Sequence, residues 1–179
     1  MSELGTQWRG VNTARLVGET IDRRLDRNER FTPSWVFDGL GVTFDLDPAS
    51  PVDGGDHVPA RRRYTVADDG LAQPWAGLVW LNPPFSAGTA WGDRFREHGN
   101  GVFLGPVANA RWWTELAGAA DLIWHCRDFA FDHPTHAGKR SSMPLAFVAM
   151  GDAAVEAVVR LHRSGRHPGV LVDVIGGNA

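Results

Sequence analysis

The sequence contains one cysteine, one tyrosine and one lysine among 179 residues. A lone Cys126 excludes an internal disulfide and a cysteine-built zinc cage, and it suits a reducing compartment. No apolar run approaches the roughly 18 residues of a membrane span. The opening MSELGTQWRG lacks the apolar stretch of a secretion signal. These absences lead to the expectation of a cytoplasmic protein that stays out of membranes. Internal repeats and low-complexity tracts are also missing. The scarcity of lysine is offset by 17 arginines, yet the net charge is −3. With an isoelectric point near 6.1, the chain is not a polycation. A polyanionic partner must therefore be held by a local patch.

What is present describes one soluble domain with room for a core: 43% hydrophobic and 22% charged residues. Eight tryptophans are many for this length, enough for the core and for a site where flat groups stack. Residues 1–30 are polar and read as a solvated helix or loose leader. Within them Arg23, Arg24, Arg27 and Arg30 are in reach of phosphates as the alternative role. The body of the domain is expected over 31–179. Thr32-Pro33 reads as a helix start, with Thr32 as N-cap and Pro33 at the first helical position, and the helix runs to about Leu40. A short strand over GVTFDLDPAS ends in a turn at Asp47-Pro48. Residues 50–70, rich in Gly, Pro, Asp and Arg, read as a long loop.

Regular apolar runs then alternate with helices. Strands are expected at Gly77–Asn82, Gly101–Pro106, Asp121–Cys126, Met143–Met150 and Gly169–Ile175. Helices are expected over 88–98, 109–120 and 152–164. The pattern predicts a single α/β domain with a mostly parallel central sheet covered by helices on both faces. In such sheets ligands bind beyond the carboxyl ends of the strands.

The chemistry-bearing motif is VWLNPPFS, Val79 to Ser86. Asn82-Pro83-Pro84-Phe85 follows a buried strand directly and so falls on that carboxyl rim. Two prolines fix φ and remove backbone donors. That leaves the Asn82 side-chain oxygen and the Pro83 carbonyl as acceptors for the two hydrogens of a planar exocyclic amine. Phe85 offers a flat face to the ring bearing the amine. Catalysis of this kind is positioning and electrostatics. The plain alternative is a proline-rich strand-to-turn junction with Phe85 in the core.

Asn-Pro-Pro-Phe resembles the Asp/Asn-Pro-Pro-Tyr/Phe motif of amino-methyltransferases, which act on adenine, cytosine or glutamine amines. The order of further segments resembles the phage DNA N-6-adenine-methyltransferase (phage Dam-like) family. Those segments are Thr32-Pro33, Leu46-Asp47-Pro48-Ala49, Asp69-Gly70-Leu71 with Trp75, Val79 to Phe85, and Trp91. The likeness covers about residues 31–150. It implies a Rossmann-like fold binding S-adenosylmethionine and methyl transfer to the N6 amine of adenine in DNA. It also implies a phage or prophage source and protection against restriction. In that picture Asp47 lies near the cofactor's methionine amine, Asp69 faces its adenosine part, Thr32-Pro33 sits at its edge, and Asp45 and Pro48 complete the cofactor-binding set; the alternative for Asp45 and Asp47 is turn chemistry before Pro48. Two departures stand out: no glycine-rich turn follows Asp47, with Gly54-Gly55 coming later, and Phe85 replaces the commoner Tyr. N4-cytosine or protein-glutamine methylation, and a non-catalytic nucleic-acid-binding module on the same fold, remain as alternatives.

A duplex adenine must be flipped out, and the strand held by phosphate contacts, for such a site to reach it. Arg61-Arg62-Arg63 in the long loop, and Lys139-Arg140 in the polar insertion CRDFAFDHPTHAGKRSS, are the candidates for DNA contact. The alternative for three adjacent arginines is a solvated loop. No metal is expected: His125 and Cys126 point to opposite faces of a strand, and His133 and His136 flank Pro134. Trp112-Trp113 reads as half core and half surface rather than as a stacking platform. Monomer and dimer are both left open.

Overall fold

The computed structural model describes residues 30–52, 55–132 and 139–174, but not the side chains of Asp56, Lys139 and Arg140. In chain order the elements are α1 (Ser34–Leu40), β1 (Phe44–Asp47), β2 (Ala60–Arg63), β3 (Val79–Leu81), α2 (Gly88–His98), β4 (Gly101–Pro106) and α3 (Arg111–Ala119). There follow β5 (Leu122–Cys126), β6 (Ala130–Phe131), β7 (Lys139–Arg140), β8 (Leu145–Met150), α4 (Asp152–Arg163) and β9 (Gly169–Asp173).

Seven strands form one sheet in the order β2-β1-β3-β4-β8-β5-β9, and β6 pairs with β7 apart from it. The sheet is mixed. β2, β1, β3 and β4 run parallel, whereas β8 pairs antiparallel with β4 and β5, and β9 antiparallel with β5. The parallel expectation therefore holds on the half that carries the Asn82 motif. β4 and β8 bury all six of their residues, as central strands covered on both faces do.

Helices lie on both faces. Val36, Phe37 and Leu40 of α1 and Ala154, Ala157, Val158 and Leu161 of α4 share one core with Phe44, Trp80, Trp124 and Phe147. Trp91 and Phe95 of α2 and Trp113 and Leu116 of α3 share the other with Leu46, Val79, Leu81 and Phe103. Each helix presents apolar residues three and four apart to the sheet and is amphipathic for that reason.

Three expectations need correction. The 50–70 segment is not all loop, because β2 occupies Ala60–Arg63 in parallel register with β1. A charged edge strand carries no apolar alternation and is stabilised by its backbone ladder. Thr32 is not the N-cap of α1: Pro33 holds that position, without a side-chain cap. The insertion after Cys126 is anchored rather than merely polar, since Phe129 and Phe131 are buried in the first core. His133 and His136 lie outside the described residues, as do Arg23, Arg24, Arg27 and Gly54. Among the described residues no helix is long and apolar enough to cross a membrane.

Candidate active site at the strand switch

The chain leaves β1 for β2 on one side of the sheet and leaves β3 for β4 on the other. Connections from the carboxyl ends of β1 and β3 therefore diverge to opposite sides. This is the topological switch point at which open α/β sheets bind ligands. Asp47 ends β1 and Asn82 follows β3, so the sheet brings these two sequence candidates to the same switch point.

Asn82 is locked by the segment before α1. Its Nδ2 donates to the Arg30 carbonyl at 2.9 Å and to Thr32 Oγ1 at 3.2 Å. A backbone carbonyl only accepts, so the group facing it must be the amide nitrogen. The Oδ1 atom is thereby aimed away from this segment. It is buried and meets no donor among the described residues. An acceptor in that state is costly unless a ligand supplies a donor. Beside it, no described backbone amide donates to the Pro83 carbonyl, whereas the Pro84 carbonyl accepts from Ala87 N–H at 3.0 Å. Two acceptors without a described donor therefore belong to successive residues after β3.

Phe85 is half-buried next to them. Its ring meets Phe131 edge-on, with centroids 5.9 Å apart, and the Arg30 guanidinium lies 4.2 Å above its centroid. Thr32 is only 2% exposed, and its hydroxyl accepts from the Asn82 amide. Phe31 exchanges backbone hydrogen bonds with Asp132, which ties this segment to the β6–β7 hairpin.

Asp47 is 2% exposed. Burial pushes its carboxyl up to about 7, against the opposing pull of the Ala49 N–H and the Arg63 charge. Asp45 does not share this place. Both Asp45 and Leu46 N–H groups converge on the Leu78 carbonyl, at 2.8 and 3.4 Å. This bulge sends Phe44 and Leu46, two residues apart, into opposite cores. The Asp45 carboxylate accepts from Leu78 N–H at 2.8 Å and pairs with Arg61 at 3.0 Å. Asp45 thus ties β1 to the residue before β3 and to Arg61.

Asp69 is exposed, at φ 54°, on the connector between β2 and β3. The next residue, Gly70, lies so close to the Pro48 carbonyl that any Cβ would collide with it, so this connector lies against the turn after β1. Trp75 fixes it there by donating to the Gly70 carbonyl at 2.7 Å and stacking on Trp91 at 6.1 Å.

The arginine triplet divides. Arg63 donates to the Gly55 and Val58 carbonyls at 3.1 and 2.6 Å, and Arg61 is held by Asp45. Arg62 is exposed and has no side-chain partner among the described residues. Lys139 and Arg140 form β7, opposite Phe131 and Ala130. Cys126 is a core residue whose thiol burial pushes up to about 12. Among the described residues no three His, Cys, Asp or Glu side chains gather to hold a metal ion. Trp112 is structural: a Cβ on Gly88 or Gly92 of α2 would lie 2.8 Å from its ring. A shallow concavity of about 340 Å³, lined by Phe37, Asp38, Thr43 and His57 among others, lies by the amino ends of β1 and β2, away from these groups.

Sequence reasoning did not find the two partners of the Asn82 amide. Thr32-Pro33 stood out as a pair, but the signal for its use is tertiary. Comparison with protein-family models, with curated proteins and with solved structures gives no match.

Proposed function

We propose that the protein is an S-adenosylmethionine-dependent methyltransferase acting on the N6 amine of adenine in DNA. The observation that carries this reading is the buried, unpartnered Asn82 Oδ1 beside the Pro83 carbonyl at a strand switch point. Two acceptors side by side suit the two hydrogens of a planar amine. By accepting those hydrogens they keep the nitrogen's lone pair off the ring and available as a nucleophile. Phe85 supplies the stacking face that orients the ring. Pro83 and Pro84 hold these groups in place before the substrate arrives.

S-adenosylmethionine would supply an activated methyl group on a sulfonium centre. The residues present fit its methionine end at one point: the buried Asp47 carboxyl, held near neutrality by desolvation, gains from an ammonium neighbour. The turn from Pro48 to Ser50 and the Gly70–Trp75 connector lie next to that acid. The resemblance to phage adenine methyltransferases supports the choice of adenine, and exposed Arg62 supports a nucleic-acid partner.

The test is transfer of labelled methyl from S-adenosylmethionine to unmethylated DNA, with nucleoside analysis, for wild type and Asn82→Ala. Label in N6-methyladenine is expected, with a loss of about 10²-fold or more in the variant. Label in N4-methylcytosine would keep the chemistry and change the base. Absence of both transfer and cofactor binding would overturn the proposal.

A further inference from the structure

Arg30 is the residue that the motif does not account for. Its carbonyl fixes the Asn82 amide at 2.9 Å, and its guanidinium lies 4.2 Å over the Phe85 ring. One residue thus spans the gap between the amine acceptors and the stacking face. No carboxylate pairs with Arg30 among the described residues, and burial lowers its pKa. Its main described attraction is therefore the aromatic ring itself, a cation–π contact.

Geometry sets the consequence. A flat ring stacked on Phe85 needs a layer about 3.5 Å thick above the aromatic plane. A guanidinium 4.2 Å from the centroid already fills that layer. Phe131 makes a T-shaped contact with the same ring, with centroids 5.9 Å apart. A base and the Arg30 side chain therefore exclude one another on this face.

We propose that Arg30 is a displaceable placeholder: its planar cation covers the base-stacking face of Phe85 until a target base takes its place. The inference rests on the methyltransferase reading and adds a specificity element to the same site. Only a ring that stacks on Phe85 and also meets the Asn82 and Pro83 acceptors compensates for the lost cation–π contact. A ring without the amine recovers only the stacking. Because the backbone of Arg30 holds Asn82, the side chain swings out while the acceptor stays aimed.

The experiment reads Arg30 directly. Side-chain protons above an aromatic ring are shifted upfield, so NMR of Arg30-labelled protein should show this shift, and Phe85→Leu should abolish it. Addition of an unmethylated single-stranded oligonucleotide with adenine in every trinucleotide context should collapse it. In parallel, 2-aminopurine placed at adenine positions reports ring capture by fluorescence. Arg30→Lys keeps the charge but is more strongly hydrated and lacks the planar fork. Arg30→Ala removes both charge and cover. At matched high salt, which screens the phosphate contribution, both variants should capture the base more tightly, Arg30→Ala by about fivefold.

A persistent upfield shift with oligonucleotide bound and methyl transfer intact would overturn the placeholder and leave the enzyme assignment standing. Unchanged or weaker capture in both variants would do the same. Absence of methyl transfer together with a shift that no oligonucleotide moves would overturn both.

Discussion

Replacing Asp47 by Asn tests whether the acid at the end of β1 is held against its solvation preference. The carboxyl is 2% exposed and rises from its ordinary 3.8 to about 7, chiefly through desolvation. A raised carboxyl binds its proton more tightly in the folded than in the unfolded chain. Its contribution to stability is therefore fully present below about pH 4 and is lost as the pH rises to about 7. The rise corresponds to at most about 4 kcal/mol at 1.36 kcal/mol per unit. For a chain of this length that is roughly 10 °C in Tm. Asparagine keeps the shape and an oxygen for the Ala49 N–H, which lies 3.2 Å from Oδ1. Urea or thermal unfolding at half-unit steps from pH 4 to 8 should give curves that meet near pH 4. They should diverge above it, with Asp47→Asn the more stable at pH 8. The same variant should bind S-adenosylmethionine more weakly, because the ammonium loses its counter-charge. Parallel stability curves would refute the reasoning, since Asp47 would then titrate alike in both states.

Other substitutions separate site roles from structural ones. Thr32→Val should cost about 1 kcal/mol of stability and lower kcat while leaving KM for DNA in place, with Thr32→Ser restoring activity; a change in KM alone would argue against positioning through Asn82. Arg62→Ala should reduce the salt dependence of DNA binding by about one phosphate contact. Arg63→Ala should instead cost about 1–3 kcal/mol of stability, because the Gly55 and Val58 carbonyls lose their donor; denaturant unfolding and salt titration tell the two apart. Trp112→Ala should lower stability by about 3 kcal/mol through the space left against Gly88 and Gly92. Lost DNA affinity without lost stability would make Trp112 a stacking platform after all.

Much of the fold was legible because central strands are buried on both sides. Gly77–Asn82, Gly101–Pro106 and Met143–Met150 read as short apolar runs, and buried strands are found at Val79–Leu81, Gly101–Pro106 and Leu145–Met150. β2 escaped because an edge strand of three arginines is held by main-chain bonds to β1 and has no apolar face to reveal it. The direction of β8 escaped too, since a run buried on both sides looks the same in either direction. At the site, Asn82–Phe85 was placed at the rim because two prolines must end a strand. Asp45 and Asp47 looked equivalent as alternate residues of one strand. The bulge at Leu78, invisible in composition, gives one a ladder amide and an arginine and leaves the other at the switch point.

The segment from Arg30 to Thr32 shows why such a site resists reading from its motif alone. Asn82-Pro83-Pro84-Phe85 sets where the acceptors stand, but not which end of the amide faces the switch point. That choice is made 50 residues away, by a carbonyl that accepts from Nδ2 and a hydroxyl that accepts beside it. An aspartate at position 82 would set oxygen against the Arg30 carbonyl, so in this chain the motif's first residue has to carry an amide. The same arginine whose backbone enforces that choice places its side chain on Phe85. One short segment therefore orients the Asn82 amide and covers Phe85, and it is itself tied by Phe31 to Asp132 beside β6.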